Sequence, residues 1–361
     1  MTKDTLSAIQ LAVHDWFFVG GEYVEQPEGT FRVGQMHVER FVPLDCRHET
    51  PVVMIHGGVQ TASNFIATPD GRRGWLHDFL AAGYAVYLVD QPERGRSGHA
   101  IEGSDAAKMF RYSAERIESV FTATGNTPLW PQARHHTQWP GTGVRGDPAF
   151  DRFFASQVEQ LSDRDEIERL TRDACVALLD EIGPAILLTH SQSGPFGWLI
   201  ADARPNLVEA ILAIEPNGPP FRDIQWIDAP TWYAYGDEDA RAWGITRLPM
   251  TYDPPAATSA ELAPQLTPSL SPELAPSFMP SGERRRLVNI AGIRILIVTG
   301  EASYHASYDH ATSAYLDWAD VAHDFIRLED CGLKGNGHMI MLENNSREVS
   351  DVLLKWLAGA A

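Results

Sequence analysis

The chain has few cysteines, a shortage of positive charge and no long apolar run, and each lack removes a class of protein. Its three cysteines, Cys46, Cys175 and Cys331, are odd in number and far apart, which argues against a disulfide framework or a zinc pattern. Free thiols suit a reducing compartment, so the expected location is the cytoplasm. Against 48 Asp and Glu stand 29 Lys and Arg, a formal net charge of -19. So acidic a surface repels phosphate backbones and anionic lipid, and neither nucleic acid nor a membrane is an expected partner. No stretch approaches the roughly 20 apolar residues that span a bilayer. The opening MTKDTLSAIQLAVHDWFF has no apolar segment ending in a small-residue cleavage site, so no signal peptide is read there. Neither a phosphate-cradling glycine loop nor a dinucleotide fingerprint follows a first strand, and no cofactor or metal is expected.

What the sequence does have is alternation. Short aliphatic runs end in glycine-rich or polar turns: PVVMIHGG (51–58), YAVYLVDQ (84–91), AILLTHS (185–191), EAILAIEPNG (209–218) and IRILIVTGE (293–301). Continuously apolar runs of this length read as strands buried on both faces of a parallel sheet. A last strand is expected over 323–329. Helical patterns fall at 73–82, 151–182, 192–204, 306–322 and 345–358. The predicted fold is α/β, a mostly parallel central sheet flanked by helices, in a single domain over 1–361. Ligands of such sheets bind beyond the carboxyl ends of the strands, so polar residues that end strands are where chemistry is sought.

Two segments break the alternation and are expected to be cap insertions. Residues 101–150 hold Trp130, Trp139, His135, His136 and PGTGVRGDP, which suits an irregular loop; the histidines there are expected to be solvated or to line a pocket. Residues 221–290 contain ELAP QLTP SLSP ELAP SFMP over 261–280, with a proline at every fourth position. Proline at that density forbids a regular helix and strips donors from a strand, so an extended, partly polyproline arm is predicted. Such an arm could decorate the surface, cover a pocket, or join a homodimer.

The turn LLTHSQSGPFGW (187–198) offers two serines. A nucleophilic serine on a strained strand-to-helix elbow needs small residues two before and two after it. Ser191 has Thr189 and Ser193 there, whereas Ser193 would have Pro195 and would leave the strand short of the nucleophile. Ser191 is therefore preferred. A serine needs a base, and an imidazole titrating near 6.5 suits the task. His338, in the glycine-rich loop LKGNGHMIML after the last strand, fits best; His190 is read as a packing residue. The imidazole in turn needs a carboxylate. Glu215 ends the strand after the elbow helix and ranks first, Glu301 ends the next strand and ranks second, and Asp237 in YAYGDED is third. For the oxyanion, backbone donors are expected from Gln192 and from Gly58 or Val59 after HGG.

These stretches, together with FFVGGEYV, TPDGRRGWLHDFLAAGYAVYLVDQPERGRSG and AIEPNGPP, cover roughly half the chain and resemble the α/β-hydrolase superfamily. Within it they are similar to a group of bacterial esterases whose acid is a Glu after the sixth strand. The resemblance implies Ser191 as nucleophile, His338 as base and Glu215 as acid, in preference to Glu301. Residues 101–150 and 221–290 match weakly or not at all, so the resemblance transfers no substrate; the assembled groups are read as hydrolysing a small-molecule carboxylic ester or lactone through an acyl-enzyme. An amide, carbamate or carbon–carbon bond is the alternative target of the same groups, and a non-catalytic binding protein is the rival from another class. Trp130, Trp139, Trp226 and Trp232 in the insertions suggest a bulky, partly apolar substrate.

Overall fold

The computed structural model describes residues 8–99, 109–227, 231–236 and 240–359. Asp237 lies outside them. Two strands precede the expected ones: β1 (Leu11–Gln26) and β2 (Gly29–Pro43) form a long antiparallel hairpin. Much of β1 is exposed, Trp16 and Tyr23 included, so no continuous apolar run marks it in the sequence. Then follow β3 (Val52–Ile55), β4 (Val86–Asp90), β5 (Ala185–His190), β6 (Val208–Ile214), β7 (Arg294–Thr299) and β8 (Asp324–Arg327). They make one eight-stranded sheet in the order β1-β2-β4-β3-β5-β6-β7-β8, parallel from β4 onward.

Among the described residues six helices of seven or more residues flank it: α1 (Trp75–Ala81), α2 (Pro148–Ala155), α3 (Arg164–Ile182), α4 (Gly194–Ala203), α5 (Asp309–Trp318) and α6 (Ser346–Leu357). One apolar cluster joins α3, α4 and α5 to the sheet through residues such as Leu178, Trp198 and Tyr315. A second joins α1 and α6 through Phe79, Leu353 and Trp356. Both faces are thus covered, which is why β3, β5 and most of β6 are wholly buried and wholly apolar but for their polar ends. Among the described residues no helix is long and apolar enough to cross a membrane.

The helix expected over 151–182 is two helices, because each half carries its own start signal. Asp147 accepts the N–H groups of Ala149 and Phe150 ahead of α2, with Pro148 at the first helical position. Asp163 does the same for Asp165 and Glu166 ahead of α3. Between them Gln160–Leu161 pairs with Met109–Phe110.

Residues 261–280 also depart from expectation. Instead of an extended arm the segment folds back on itself, Pro264–Thr267 pairing antiparallel with Ser277–Pro280. Prolines four apart leave three consecutive donors between them, enough for a ladder this short, and the prolines fall at the strand ends and in the connecting turn. Leu262 and Ala275 anchor the hairpin in the interior, while Leu266 and Leu270 at its outer end are exposed.

Register sets the site. His190 of β5 pairs with Ile214 of β6, and Ile214 pairs with Val298 of β7. The residues immediately after, Ser191 and Glu215, therefore leave the sheet side by side at its carboxyl edge.

Candidate active site

Ser191 has φ 55°, in the left-handed region that side chains other than glycine rarely adopt. Only a sharp reversal from β5 into α4 demands it, and that reversal lifts the hydroxyl above the sheet. Crowding around the turn is severe: a Cβ on Gly194 would lie 2.5 Å from the Pro216 Cα, and one on Gly57 2.9 Å from the His190 Nδ1. Ser193 has an ordinary helical backbone. Its buried hydroxyl donates to the Ile55 carbonyl at 2.7 Å and receives the His190 N–H at 2.8 Å. The structure thus separates the two serines: one faces a cavity and the other ties β5 to β3.

Glu215, also at positive φ (46°), is fully buried. Its Oε1 receives the Gly300 N–H at 2.8 Å, and its Oε2 receives the Ser303 hydroxyl at 2.7 Å and the His338 Nδ1–H at 2.5 Å. Burial pushes this carboxyl well above its usual range, reinforced by Asp309 and opposed by the Gly300 and Ser303 donors. Burial holds His338 well below the usual histidine value, with the His190 and His305 rings adding to the effect. The resting imidazole is therefore neutral, with Nδ1 protonated toward Glu215 and Nε2 free to accept. Glu301, the second-ranked acid, is directed elsewhere: it accepts the Gly335 N–H at 2.7 Å and braces the loop instead.

The His338 loop is pinned by a residue that sequence reasoning missed. Buried Glu343 accepts the Gly337 N–H, the Asn336 amide and the His136 Nε2–H, each at 2.8 Å. His136 is correspondingly buried and bonds Thr124 at 3.0 Å through Nδ1, so the expectation of a solvated or pocket-lining role for it does not hold. His190 packs beside His338, its Nε2 3.0 Å from the His338 carbonyl, and burial drives it down to about 3. His305 stacks flat on His338 at 4.9 Å with its Nδ1 2.9 Å from Asp309. Glu215, His305 and His338 bring three ligand atoms within 4.8 Å of one another, the one metal-like grouping among the described residues. Their facing atoms already bond one another or Asp309, so the set is better explained as a hydrogen-bond network.

On the opposite side, the Val59 N–H is committed to the Gln160 Oε1 at 2.7 Å, which removes it as an oxyanion donor. Gly58 and Gln192 line the same cavity as Ser191. Arg94, unassigned in the sequence, is buried beneath them. It donates to the Gly57 carbonyl at 2.9 Å and to the Gln192 side chain at 3.2 Å, holding the two donor segments together. Burial lowers its pKa to about 9.

The cavity over Ser191 has a volume of about 300 Å³ and an aromatic wall that includes Tyr112, Phe121, Trp226 and Tyr304. Of the four tryptophans singled out by sequence, only Trp226 lines it. Trp130 is buried and bonds the Ala302 carbonyl, Trp139 packs on Phe153, and Trp232 bonds the Pro272 carbonyl.

At the far end of the same cavity Glu168 of α3 accepts the backbone N–H groups of Arg247 and Leu248 at 3.0 and 3.2 Å. Burial raises its pKa from 4.5 to about 7. Unfolded, this carboxyl loses its proton near 4.5; folded, it keeps the proton until about 7. Its contribution is thus fully present below 4.5 and is lost as pH rises through 7. Glu168→Gln keeps the acceptor without the charge, and is expected to gain roughly 3 kcal/mol on the wild type above neutrality and almost nothing near pH 4. Thermal melts of both proteins from pH 4 to 8 check this; a gap that does not widen with pH rejects it.

The profile of the alpha/beta hydrolase family matches residues 52–352. The chain is 42% identical over 346 residues to a probable secreted lipase, phiG, of a fungal species (strain ATCC 74256), covering 96% of this chain and 89% of that one. A bacterial esterase of known structure superposes over 100% of both chains with a TM-score of 0.67 at 22% identity, a likeness of fold. With the parallel sheet, the elbow and the matched span in agreement, the chain belongs to the alpha/beta hydrolase family.

Proposed function

We propose that the protein is a serine hydrolase that cleaves a carboxylic ester of a bulky, partly apolar small molecule. Ser191 attacks the carbonyl, His338 takes the proton, and Glu215 fixes the imidazole tautomer and offsets its charge once it is protonated. The N–H groups of Gln192 and Gly58 hold the oxyanion, and water then cleaves the acyl-enzyme. One observation carries this reading: a serine at φ 55° shares a sheet edge with a buried carboxylate that holds a histidine at 2.5 Å. The name of the fungal relative supports an ester substrate, and the aromatic cavity wall supports an apolar group beside the scissile bond.

The test is a burst assay with p-nitrophenyl acetate and butyrate, with mass mapping of the acylated peptide. A stoichiometric burst with label on Ser191 is expected. Turnover of a matched p-nitroanilide faster than the ester would move the proposal to amides, and no acylation by either would refute it.

A cytoplasmic location belongs to the proposal, resting on three free thiols, two of them exposed. The relative's name describes a secreted protein, so cell fractionation decides. A homodimer through the 261–280 hairpin would use exposed Leu266 and Leu270. Leu266→Asp with Leu270→Asp is then expected to halve the mass seen by gel filtration, and an unchanged mass excludes that interface.

A further inference from the structure

The cavity over Ser191 reverses the charge of the protein around it. The chain carries a formal net charge of -19, yet the cavity wall sets four arginines, Arg116, Arg164, Arg241 and Arg247, against two carboxylates, Asp223 and Glu168. Arg247 is occupied by Asp165 and the Ala240 carbonyl. Arg164 and Arg241 share a single acid: their Nη1 atoms lie 2.9 and 2.8 Å from the two oxygens of Asp223. Arg116 has no carboxylate partner among the described residues, and its guanidinium lies 5.1 Å over the Trp226 ring. Burial keeps Glu168 protonated up to about 7, so below that pH Asp223 alone faces three guanidinium cations.

These three cations are gathered along one short segment. Asp223 immediately precedes the strand Ile224–Trp226, so the arginines on Asp223 and the one on Trp226 are held about 10 Å apart at most along the backbone. Arg241 is set into the interior: it is 1% exposed, its Nε donates to the Pro219 carbonyl at 2.7 Å, and its Nη2 has no partner among the described residues. A buried donor left unpaired is destabilising, and excess positive charge in a cavity calls for an anion. A carboxylate matches the planar guanidinium fork.

Spacing places that carboxylate away from the reacting bond. From His338 the wall runs to Tyr304, whose ring lies 4.6 Å away and whose hydroxyl is 3.1 Å from Nε2. It continues to Trp226 at 5.3 Å and then to Arg116. A carbonyl held over Ser191 is thus separated from the arginines by the width of two aromatic rings, which an apolar chain would line. We propose that this end of the cavity binds a carboxylate of the substrate, so that the ester cleaved at Ser191 carries a free carboxylate several bonds from its scissile carbonyl. The proposal rests on the reading of Ser191 as nucleophile.

The test uses two pairs of esters matched in length. Mono-p-nitrophenyl suberate, which ends in a free carboxylate, is compared with p-nitrophenyl methyl suberate, and ω-acetoxyhexanoate with its methyl ester. The charge lies on the acyl side in the first pair and on the alcohol side in the second. In wild type the acid of at least one pair is expected to show a kcat/KM about tenfold above its neutral partner, chiefly through a lower KM. Arg116→Gln is expected to bring that ratio within about twofold. Because each ratio is taken within one protein, a smaller folded fraction cancels, and the wild-type ratio decides alone if the variant does not fold. No preference for the acid in either pair, or a preference that Arg116→Gln leaves intact, overturns the subsite. The neutral esters separate the two ideas: their turnover with acylation at Ser191 upholds the hydrolase even where the subsite fails, whereas no turnover of any of the esters refutes both.

Discussion

Ser191→Ala is expected to abolish ester turnover, lowering kcat by roughly 10⁴ to 10⁶-fold, while leaving the protein as stable as the wild type. The first figure follows from removing the atom that forms the acyl bond, which leaves only binding and oxyanion stabilisation to accelerate attack by water. The second follows because alanine meets the same left-handed strain as serine at φ 55°, and the lost hydroxyl faces a cavity where water can replace it. Ser193→Ala should behave in the opposite way. It strips the Ile55 carbonyl and the His190 N–H of a buried partner, which costs about 1–3 kcal/mol of stability, and it leaves kcat nearly unchanged. Steady-state kinetics and thermal melts on the two variants give this crossed pattern. Turnover surviving in Ser191→Ala would sink the proposed mechanism outright.

Glu215→Gln is expected to lower kcat by about 10³ to 10⁴-fold with the fold intact. The reason is a counting problem. Glu215 accepts from donors at both oxygens, Gly300 at one and Ser303 with His338 at the other. An amide has one oxygen. If that oxygen stays with Gly300, the NH₂ faces Nδ1 and drives the imidazole proton to Nε2, where it blocks proton uptake. If it turns to His338, two buried N–H donors confront each other at Gly300. Glu301→Gln meets no such difficulty, since that side chain serves a single backbone N–H. It should keep kcat within about threefold, well short of the loss from removing a general base. Comparable losses from both substitutions would mean that the acid had been assigned wrongly.

The six parallel or near-central strands and the elbow were legible because burial on both faces writes a continuous apolar run, and because a strained turn restricts its neighbours to small residues. The β1–β2 hairpin was not, since a half-exposed antiparallel pair mixes polar and apolar residues without any strong period. Glu215 and Glu301 both fit the chain order of serine, acid and histidine. Glu215 ranks first because a Glu ending the apolar strand at IEPNG has no packing reason to be there and because the resemblance favours it, and their different partners agree with that ranking. Val59 could not be discounted from HGGV alone, because its N–H is taken by Gln160, some hundred residues along the chain. Glu343 and Tyr304 escaped for the same reason. Each is an unremarked residue just past a recognisable motif, and its partners come from other segments: His136 for Glu343, Trp130 and Trp226 for Tyr304. Tertiary hydrogen bonds of that kind leave no periodicity behind.

The buried bridge from Thr124 through His136 to Glu343 bears on how substrate preference could be re-engineered in this scaffold. Residues 109–150 supply pocket wall at Phe121 and, through His136, a brace for the loop that carries His338. A graft that replaces this segment with one from another hydrolase therefore exchanges a catalytic support along with the pocket. Donor segments without a histidine at the His136 position would leave Glu343 short of one of its three donors, and swaps would succeed only when Glu343 changes with them.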